Sequence, residues 1–303
     1  MTLKIKHLLV VTLAFGCGVV VLSAFLCGCG ARDDDADSEA RVAEADRKLA
    51  ENIAAHKKKV ARELARGKAK GECMMGDTYH KIGLYDKAVA AYKKAVASSP
   101  DYVEAHAALG RAYAALEQWD DAVAAYKNAI AIKPDYAEAY VKMSGALVKL
   151  ERHAAALAAC KKAVALQPES AEARTSLGVV YDALGRYPDA LAAHAMAIAI
   201  KQNYARAYNN LSVTYHKLGR HADAAAALKN ALRFKPRYAE AHYNMGVVQG
   251  ELGKYNEAYV SYMKAIAFKP DYAEAHYHIG VNYNQLEHHS KAVDSYAKAV
   301  AID

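Results

Sequence analysis

Small and hydrophobic positions recur every 34 residues from about residue 69 to residue 303. One column of this pattern contains only glycine or serine, and two other columns contain only alanine. The glycine and serine column is Gly76, Gly110, Ser144, Gly178, Ser212, Gly246 and Gly280. The alanine columns are Ala88, Ala122, Ala156, Ala190, Ala224, Ala258 and Ala292, and Ala95, Ala129, Ala163, Ala197, Ala231, Ala265 and Ala299. A fixed period of this length predicts an array of equivalent structural units.

Each unit has the hydrophobic pattern of two helices. In the unit that begins near residue 205, apolar and small residues between 208 and 218 are spaced along one helical face, which ends at Gly219. A second helical pattern follows and ends before Pro236, because proline cannot continue a helix. One helix pair buries too little apolar surface to fold alone, so neighbouring pairs are expected to stack.

These columns resemble the tetratricopeptide repeat, a helix pair with a Leu-Gly, a Tyr, two alanine positions and a closing Pro at the same spacing. Seven copies would begin near residues 69, 103, 137, 171, 205, 239 and 273 and fill residues 69–303. The resemblance implies an all-α, right-handed superhelical solenoid whose first helices line a concave groove. It also implies a protein that binds other proteins, since such arrays usually do.

The first 29 residues have the pattern of an export signal or a membrane anchor. Lys4 and Lys6 precede an uncharged run of 19 residues, which is typical of a signal peptide and is also near the length that spans a bilayer. Leu26-Cys27-Gly28-Cys29 resembles the lipobox of bacterial lipoprotein signal peptides, which implies that Cys29 carries a lipid. Both alternatives place the repeats outside the cytoplasm, because the two lysines should stay inside.

An acidic linker, residues 30–37, and an amphipathic helix, residues 38–68, are predicted between this segment and the repeats. Val42, Leu49, Ile53, Val60 and Leu64 recur at helical spacing. Residues 33–51 contain eight acids and three bases, whereas residues 57–70 contain seven bases and one acid. The helix is expected to end near Gly67 and Gly71. It is either a solvated spacer or a surface for anionic lipid or an acidic partner.

Composition and motifs give little sign of chemistry. The net charge of +7 is modest for 303 residues and does not call for nucleic acid. Cys73 and Cys160, the two cysteines of the repeats, are too few for a disulfide framework. The chain has no nucleotide-binding or HExxH motif. We expect neither enzymatic activity nor a cofactor.

The last repeat is rich in histidine, which raises the alternative of a metal site. His276, His278, His288 and His289 lie close together in the sequence. Residues two apart on a helix point in different directions, which argues against a shared ion. We therefore expect no metal.

The face of each first helix that lies opposite the core stripe is the candidate binding groove. Its residues are Arg111, Lys142, Asn209, Asn210, Val213, His216, Tyr243, Asn244, Val247, Tyr277, His278, Val281 and Asn284. Asn210 and Asn244 occupy equivalent positions and resemble two rungs of the asparagine ladder of O-GlcNAc transferase repeats. The resemblance implies amides that hold an extended peptide backbone, since an amide both donates and accepts hydrogen bonds.

The sequence therefore favours a membrane-tethered, extracytoplasmic scaffold that binds a protein or peptide partner in its groove and helps to assemble a complex of the cell envelope. A lipid anchor would hold it at the outer membrane of a cell with two membranes, and a single span would hold it at the inner membrane. Two alternatives stay open. One is a structural solenoid that self-associates through its carboxyl-terminal repeat, and the other is a ligand- or metal-responsive sensor.

Overall fold

The computed structural model describes residues 35–302, with side chains from residue 40 onward. The predicted signal or anchor (residues 1–29), the predicted lipidation site Cys29 and most of the predicted acidic linker lie outside this range. The described residues form helices and no strand. The helices are α1 (Asp35–Lys81), α2 (Tyr85–Ser98), α3 (Val103–Ala115), α4 (Trp119–Ile132), α5 (Ala137–Lys149), α6 (His153–Leu166), α7 (Ala171–Ala183), α8 (Tyr187–Ile200), α9 (Ala205–Lys217), α10 (His221–Phe234), α11 (Ala239–Glu251), α12 (Tyr255–Phe268), α13 (Ala273–Gln285) and α14 (His289–Ile302).

Helices α2 to α14 and the end of α1 form seven helix pairs. The first helices from α3 onward begin at residues 103, 137, 171, 205, 239 and 273, which are the starts given by the 34-residue period. The prediction of an all-α solenoid of helix pairs is confirmed. The described chain divides between Ala61 and Arg62 into two compact units, and all seven pairs belong to the second. None of the described helices is both long and apolar enough to span a membrane.

Helix α1 is longer than the predicted helix of residues 38–68, because it continues through Gly67 and Gly71 to Lys81. The expectation that these glycines end the helix is wrong. A glycine inside a helix costs about 1 kcal/mol relative to alanine, which weakens the helix without terminating it. The buried side chains of Ala69 and Cys73 pack against the core of the first repeat and stabilise the helix at this point.

The first helices form the inner layer of the solenoid. Among α2 to α14, each first helix contacts the first helix of the next repeat, whereas no second helix contacts the next second helix. The layer whose helices lie closer together is the inner side of a curved array. The first helices therefore line the concave surface, as the resemblance to the tetratricopeptide repeat implied.

Within a repeat, the small residue of the first helix lies against a large side chain of the second helix. A Cβ atom on Gly110 would lie 2.7 Å from the ring of Tyr126, which is too close for a real contact. The same relationship holds for the pairs Gly76–Tyr92, Gly178–His194, Gly246–Tyr262 and Gly280–Tyr296. The two repeats that have Ser144 and Ser212 instead carry Cys160 and Leu228, which have no ring. Glycine is thus required where the partner is a ring.

A buried polar cluster joins the fourth and fifth repeats. Thr214 Oγ1 donates a hydrogen bond of 2.9 Å to Asp182 Oδ2, and His194 Nε2 lies 3.3 Å from the same oxygen. All three side chains are buried. His194 stands where four other repeats have tyrosine, and the carboxylate of Asp182 gives its ring a polar partner within the core.

Candidate peptide-binding groove

Three asparagines form a chain of amides along the inner layer. Asn244 Nδ2 donates to Asn209 Oδ1 over 2.9 Å, and Asn209 Nδ2 lies 3.5 Å from Asn210 Oδ1. Asn210 Nδ2 and Asn244 Oδ1 have no hydrogen-bond partner among the described residues. The two ends of this chain therefore offer one donor and one acceptor, which are the two groups that a peptide unit needs.

Asn209 lies deeper than the sequence suggested. Only 6% of its surface is exposed, and its column is also buried in the four preceding repeats, at Cys73, Ala107, Val141 and Thr175. This column faces the first helix of the next repeat. The amide oxygen of Asn209 accepts a hydrogen bond from the side chain of Asn244, whereas Asn210 and Asn244 are only half-buried.

A cavity of about 110 Å³ opens between α5, α7 and α9. Its lining residues are Ser144, Gly145, Val148, Thr175, Ser176, Val179, Val180, Arg206 and Asn210. Gly145 stands in the column that holds Arg111 in the second repeat and valine from the fourth repeat onward, so the missing side chain leaves room here. The cavity is therefore walled by small and apolar residues of α5 and α7, together with Arg206 and Asn210 of α9.

The basic residues predicted for the groove are paired across neighbouring repeats. Lys142 Nζ donates to Glu172 Oε1 over 2.8 Å, and Arg206 Nη2 lies 3.3 Å from the same oxygen. Burial raises the pKa of Glu172, but the hydrogen bond with Lys142 and the two positive charges outweigh it, so the pKa lies below its usual range. Arg111 Nη2 lies 3.5 Å from Asp77 Oδ1. These ion pairs bind first helices to one another.

Valines form an apolar row beside the amides. Val213, Val247 and Val281 occupy equivalent positions on α9, α11 and α13, and all three are half-buried. Val179 holds the same position on α7 and lines the cavity. The row therefore continues from the cavity to the last repeat.

Aromatic side chains fill the groove at its carboxyl-terminal end. The ring of Tyr243 lies 5.0 Å from that of Tyr272, 5.5 Å from that of His278 and 5.9 Å from that of Tyr262, measured between centroids. Burial raises the pKa of Tyr243 and lowers that of His278. Tyr277, in contrast, is 53% exposed.

His216 and Asn284 lie at the edge of the groove and contact the second helix of their own repeat. His216 Nδ1 is 3.3 Å from His221 Nδ1, and burial, followed by the neighbouring His221, lowers the pKa of His216. Asn284 Nδ2 donates to the hydroxyl of Tyr296 over 3.1 Å. Their polar groups are therefore partly committed within the repeat.

The described cysteines and histidines form no metal centre. Among residues 40–302, no three His, Cys, Asp or Glu side chains are grouped so that they could hold a metal ion. Cys73 and Cys160 are buried, and burial raises the pKa of each thiol to about 11. Both cysteines are therefore thiols at neutral pH and act as small core residues.

The hydrophobic pattern of the sequence does not assign Arg206 and Gly145 to the groove, although both line the cavity. Neither residue belongs to a motif, but each differs from the residues at the equivalent position of the other repeats. The column of Arg206 contains glutamate in the five repeats that begin at residues 103, 137, 171, 239 and 273, so the arginine reverses the charge. The column of Gly145 otherwise contains Asp77, Arg111 or valine. Departures from a repeat column mark the places where one repeat differs in shape or charge.

Comparison with protein-family models identifies the class of protein. Models described as "TPR repeat" match residues 76–117, 110–144, 214–253 and 251–286. Models described as "Tetratricopeptide repeat" match residues 143–205 and 273–303. The chain belongs to the tetratricopeptide repeat family, and its fold is that of a protein-interaction scaffold.

Three solved structures are among those that are similar to this chain. PilW, a widely conserved type IV pilus biogenesis factor, is 24% identical with a TM-score of 0.59, over 68% of this chain and 96% of PilW. A tetratricopeptide repeat protein from Parabacteroides merdae is 15% identical with a TM-score of 0.62, over 78% of this chain and 93% of its own. MamA is 31% identical with a TM-score of 0.46, over 54% of this chain and 95% of MamA. A search of the curated proteins found no match.

Proposed function

We propose that this protein is a membrane-tethered, extracytoplasmic scaffold that binds an extended segment of a protein partner along its first helices. The observation that carries the proposal is the position of Asn210. Asn210 lines the cavity between α5, α7 and α9, and its amide nitrogen has no hydrogen-bond partner among the described residues. A peptide carbonyl accepts a hydrogen bond from such a donor whatever the side chain beside it.

The surroundings of Asn210 indicate how the segment lies. A cavity of about 110 Å³ accepts a small side chain, and valine and hydroxyl-bearing residues form most of its wall. The valine row provides apolar contact on the way to Asn244, whose Oδ1 is available to a backbone N–H group. Alternating backbone hydrogen bonds and side-chain contacts are the pattern of an extended peptide.

The extracytoplasmic location and the role in an envelope complex rest on residues 1–29. The basic start, the apolar run and the lipobox-like sequence that ends at Cys29 support export and attachment to a membrane. A scaffold held there meets partners of the cell envelope. We propose no enzymatic activity, because the groove is lined by paired charges, amides and apolar groups.

The test measures the affinity of an envelope partner for the groove. The full chain in detergent captures the partner from its own cell envelope, and the partner is then titrated against purified variants. Asn210→Ala should weaken binding roughly 2- to 13-fold, since one hydrogen bond contributes about 0.5–1.5 kcal/mol. Gly145→Leu, which fills the cavity, should weaken binding more.

Asn128→Ala provides the matched control, because Asn128 is an exposed asparagine on the second helix α4. It should leave the affinity unchanged. If neither groove variant alters the affinity while both keep the melting temperature of the wild type, the partner binds elsewhere and the proposal is wrong.

A further inference from the structure

Helix α1 presents an apolar stripe that nothing in the described structure covers along residues 42–64. Leu49 is 48% exposed and Leu64 is 75% exposed, and Val42 and Val60 are exposed as well. Together with Ile53 they are spaced 7, 4, 7 and 4 residues apart. This spacing has a period of eleven residues in three turns, or about 3.67 residues per turn, so the stripe follows the helix axis closely. Such a face fits a second helix.

The charges on α1 are divided between its two ends. Residues 33–51 contain eight acids and three bases, and residues 57–70 contain seven bases and one acid. Two of the bases in the acidic half, Arg47 and Lys48, are already paired with Glu44 on the same helix. A helix that covers this stripe must therefore be basic at one end and acidic at the other.

A second α1 has this arrangement when it runs in the opposite direction. If Leu49 of one chain lies opposite Leu64 of the other, Ile53 lies opposite Val60 because the spacing of 4, 7 and 4 is symmetric. The same register brings Glu51 opposite Arg62. The apolar and the charged patterns thus agree on one register. In a parallel pair, like charges would face each other along the whole length.

We propose that α1 is a self-association surface that pairs antiparallel with α1 of a second copy of this chain. An anionic membrane surface would attract residues 57–70 but repel residues 33–51, and it therefore fits only half of the helix. The second copy fits both halves. This surface and the candidate groove have no residue in common, so the proposed partner and the second copy use different residues of the chain.

Carbodiimide cross-linking of the full chain in detergent tests the orientation directly, because this reagent joins carboxylates to lysines without a spacer. Glu44 and Lys70 are 26 residues apart on one helix, which is about 39 Å at 1.5 Å per residue. A link between them can form only between two chains. We expect Glu44–Lys68 or Glu44–Lys70 links in a species of dimer mass. A chain that is monomeric at all concentrations, or a dimer without these links, overturns the proposal.

A substitution on the stripe tests the surface. Ile53→Glu should raise the dissociation constant of the dimer at least tenfold, as measured by sedimentation. Ala55→Glu adds the same charge two residues away, on the opposite face of the helix, and should change it far less. Equal effects of the two substitutions, at equal helix content, would show that the stripe is not the interface.

Charge reversal tests the antiparallel orientation independently of any loss of folding. Replacing Glu44 and Glu51 with lysine should weaken the dimer, because two basic halves then face each other. Adding Arg62→Glu and Arg66→Glu to the same chain should restore it. In a parallel dimer the first pair of changes would have little effect and the second pair would rescue nothing, and this result would also overturn the proposal.

Discussion

Asn244 holds the buried Asn209 of the preceding repeat through a hydrogen bond of 2.9 Å between Nδ2 and Oδ1. Two residues that the sequence assigns alike to a binding groove therefore differ in role. Asn209 is structural, and Asn244 both supports the interface between two repeats and offers its oxygen to the groove. Effects on binding and on stability must be separated for Asn244, whereas Asn210 has no buried partner that depends on its amide nitrogen.

We expect Asn244→Ala to lower the free energy of unfolding by about 1–3 kcal/mol, because Asn209 Oδ1 is then buried without a donor. Asn210→Ala should lower it by less than about 1 kcal/mol, since only the 3.5 Å contact with Asn209 is lost. Urea denaturation of both variants measures this difference. Equal losses would show that the amide chain does not bind the two repeats together.

Gly246 and Tyr262 should be strongly coupled. Gly246→Ser places a Cβ atom within about 2.5 Å of the Tyr262 ring, which the rigid core cannot accommodate. We expect a loss of about 1–3 kcal/mol or more. The double variant Gly246→Ser, Tyr262→Leu copies the pair Ser212 and Leu228 and should recover part of the loss. A double-mutant cycle measures the coupling, and additive losses would contradict it.

Acidification should destabilise the last three repeats. Burial lowers the pKa values of His216, His242, His276 and His278 in the folded chain. Above the unfolded value of about 6.5 these histidines are neutral in both states. As the pH falls below it, the unfolded chain takes up protons that the folded chain does not, so the free energy of unfolding decreases.

Denaturation at pH 7.5 and pH 5.5 checks this dependence. His278→Phe keeps a ring against Tyr243 and Tyr262 but removes one proton site, so its stability should fall less on acidification. The exposed His288 provides the control. The free energy of unfolding of His288→Phe should decrease on acidification as much as that of the wild type. If His278→Phe loses as much stability as the wild type, protonation of this residue does not contribute.

Cys29 is expected to carry the membrane anchor. Cys29→Ser should abolish labelling by a radioactive acyl chain in growing cells and leave the precursor uncleaved, because the thiol is the group that takes the lipid. Cys17→Ser should keep the label. If the label is lost only in Cys17→Ser, the lipid is on Cys17 and the assignment of Cys29 is wrong. If the wild type carries no label, the single-span anchor is the remaining alternative.

The 34-residue period predicted the fold because the same columns recur in seven repeats, so that a departure in one repeat does not hide the pattern. It did not predict the burial of Asn209, since a column gives the direction of a side chain but not the residue of the next repeat that covers it. The end of α1 was also mispredicted. Gly67 and Gly71 favour the end of a helix, but packing of Ala69 and Cys73 continues the helix through them. Local propensity is weak against tertiary packing.

Each glycine and ring that fit together, such as Gly110 and Tyr126, belong to one repeat. A block of 34 residues therefore contains both the glycine and the ring that packs against it. If such a block is duplicated or deleted as a whole, no glycine is separated from its ring, and the new junction only has to satisfy the contacts between neighbouring repeats. The array can consequently change its length in whole units without a change in the packing inside each repeat.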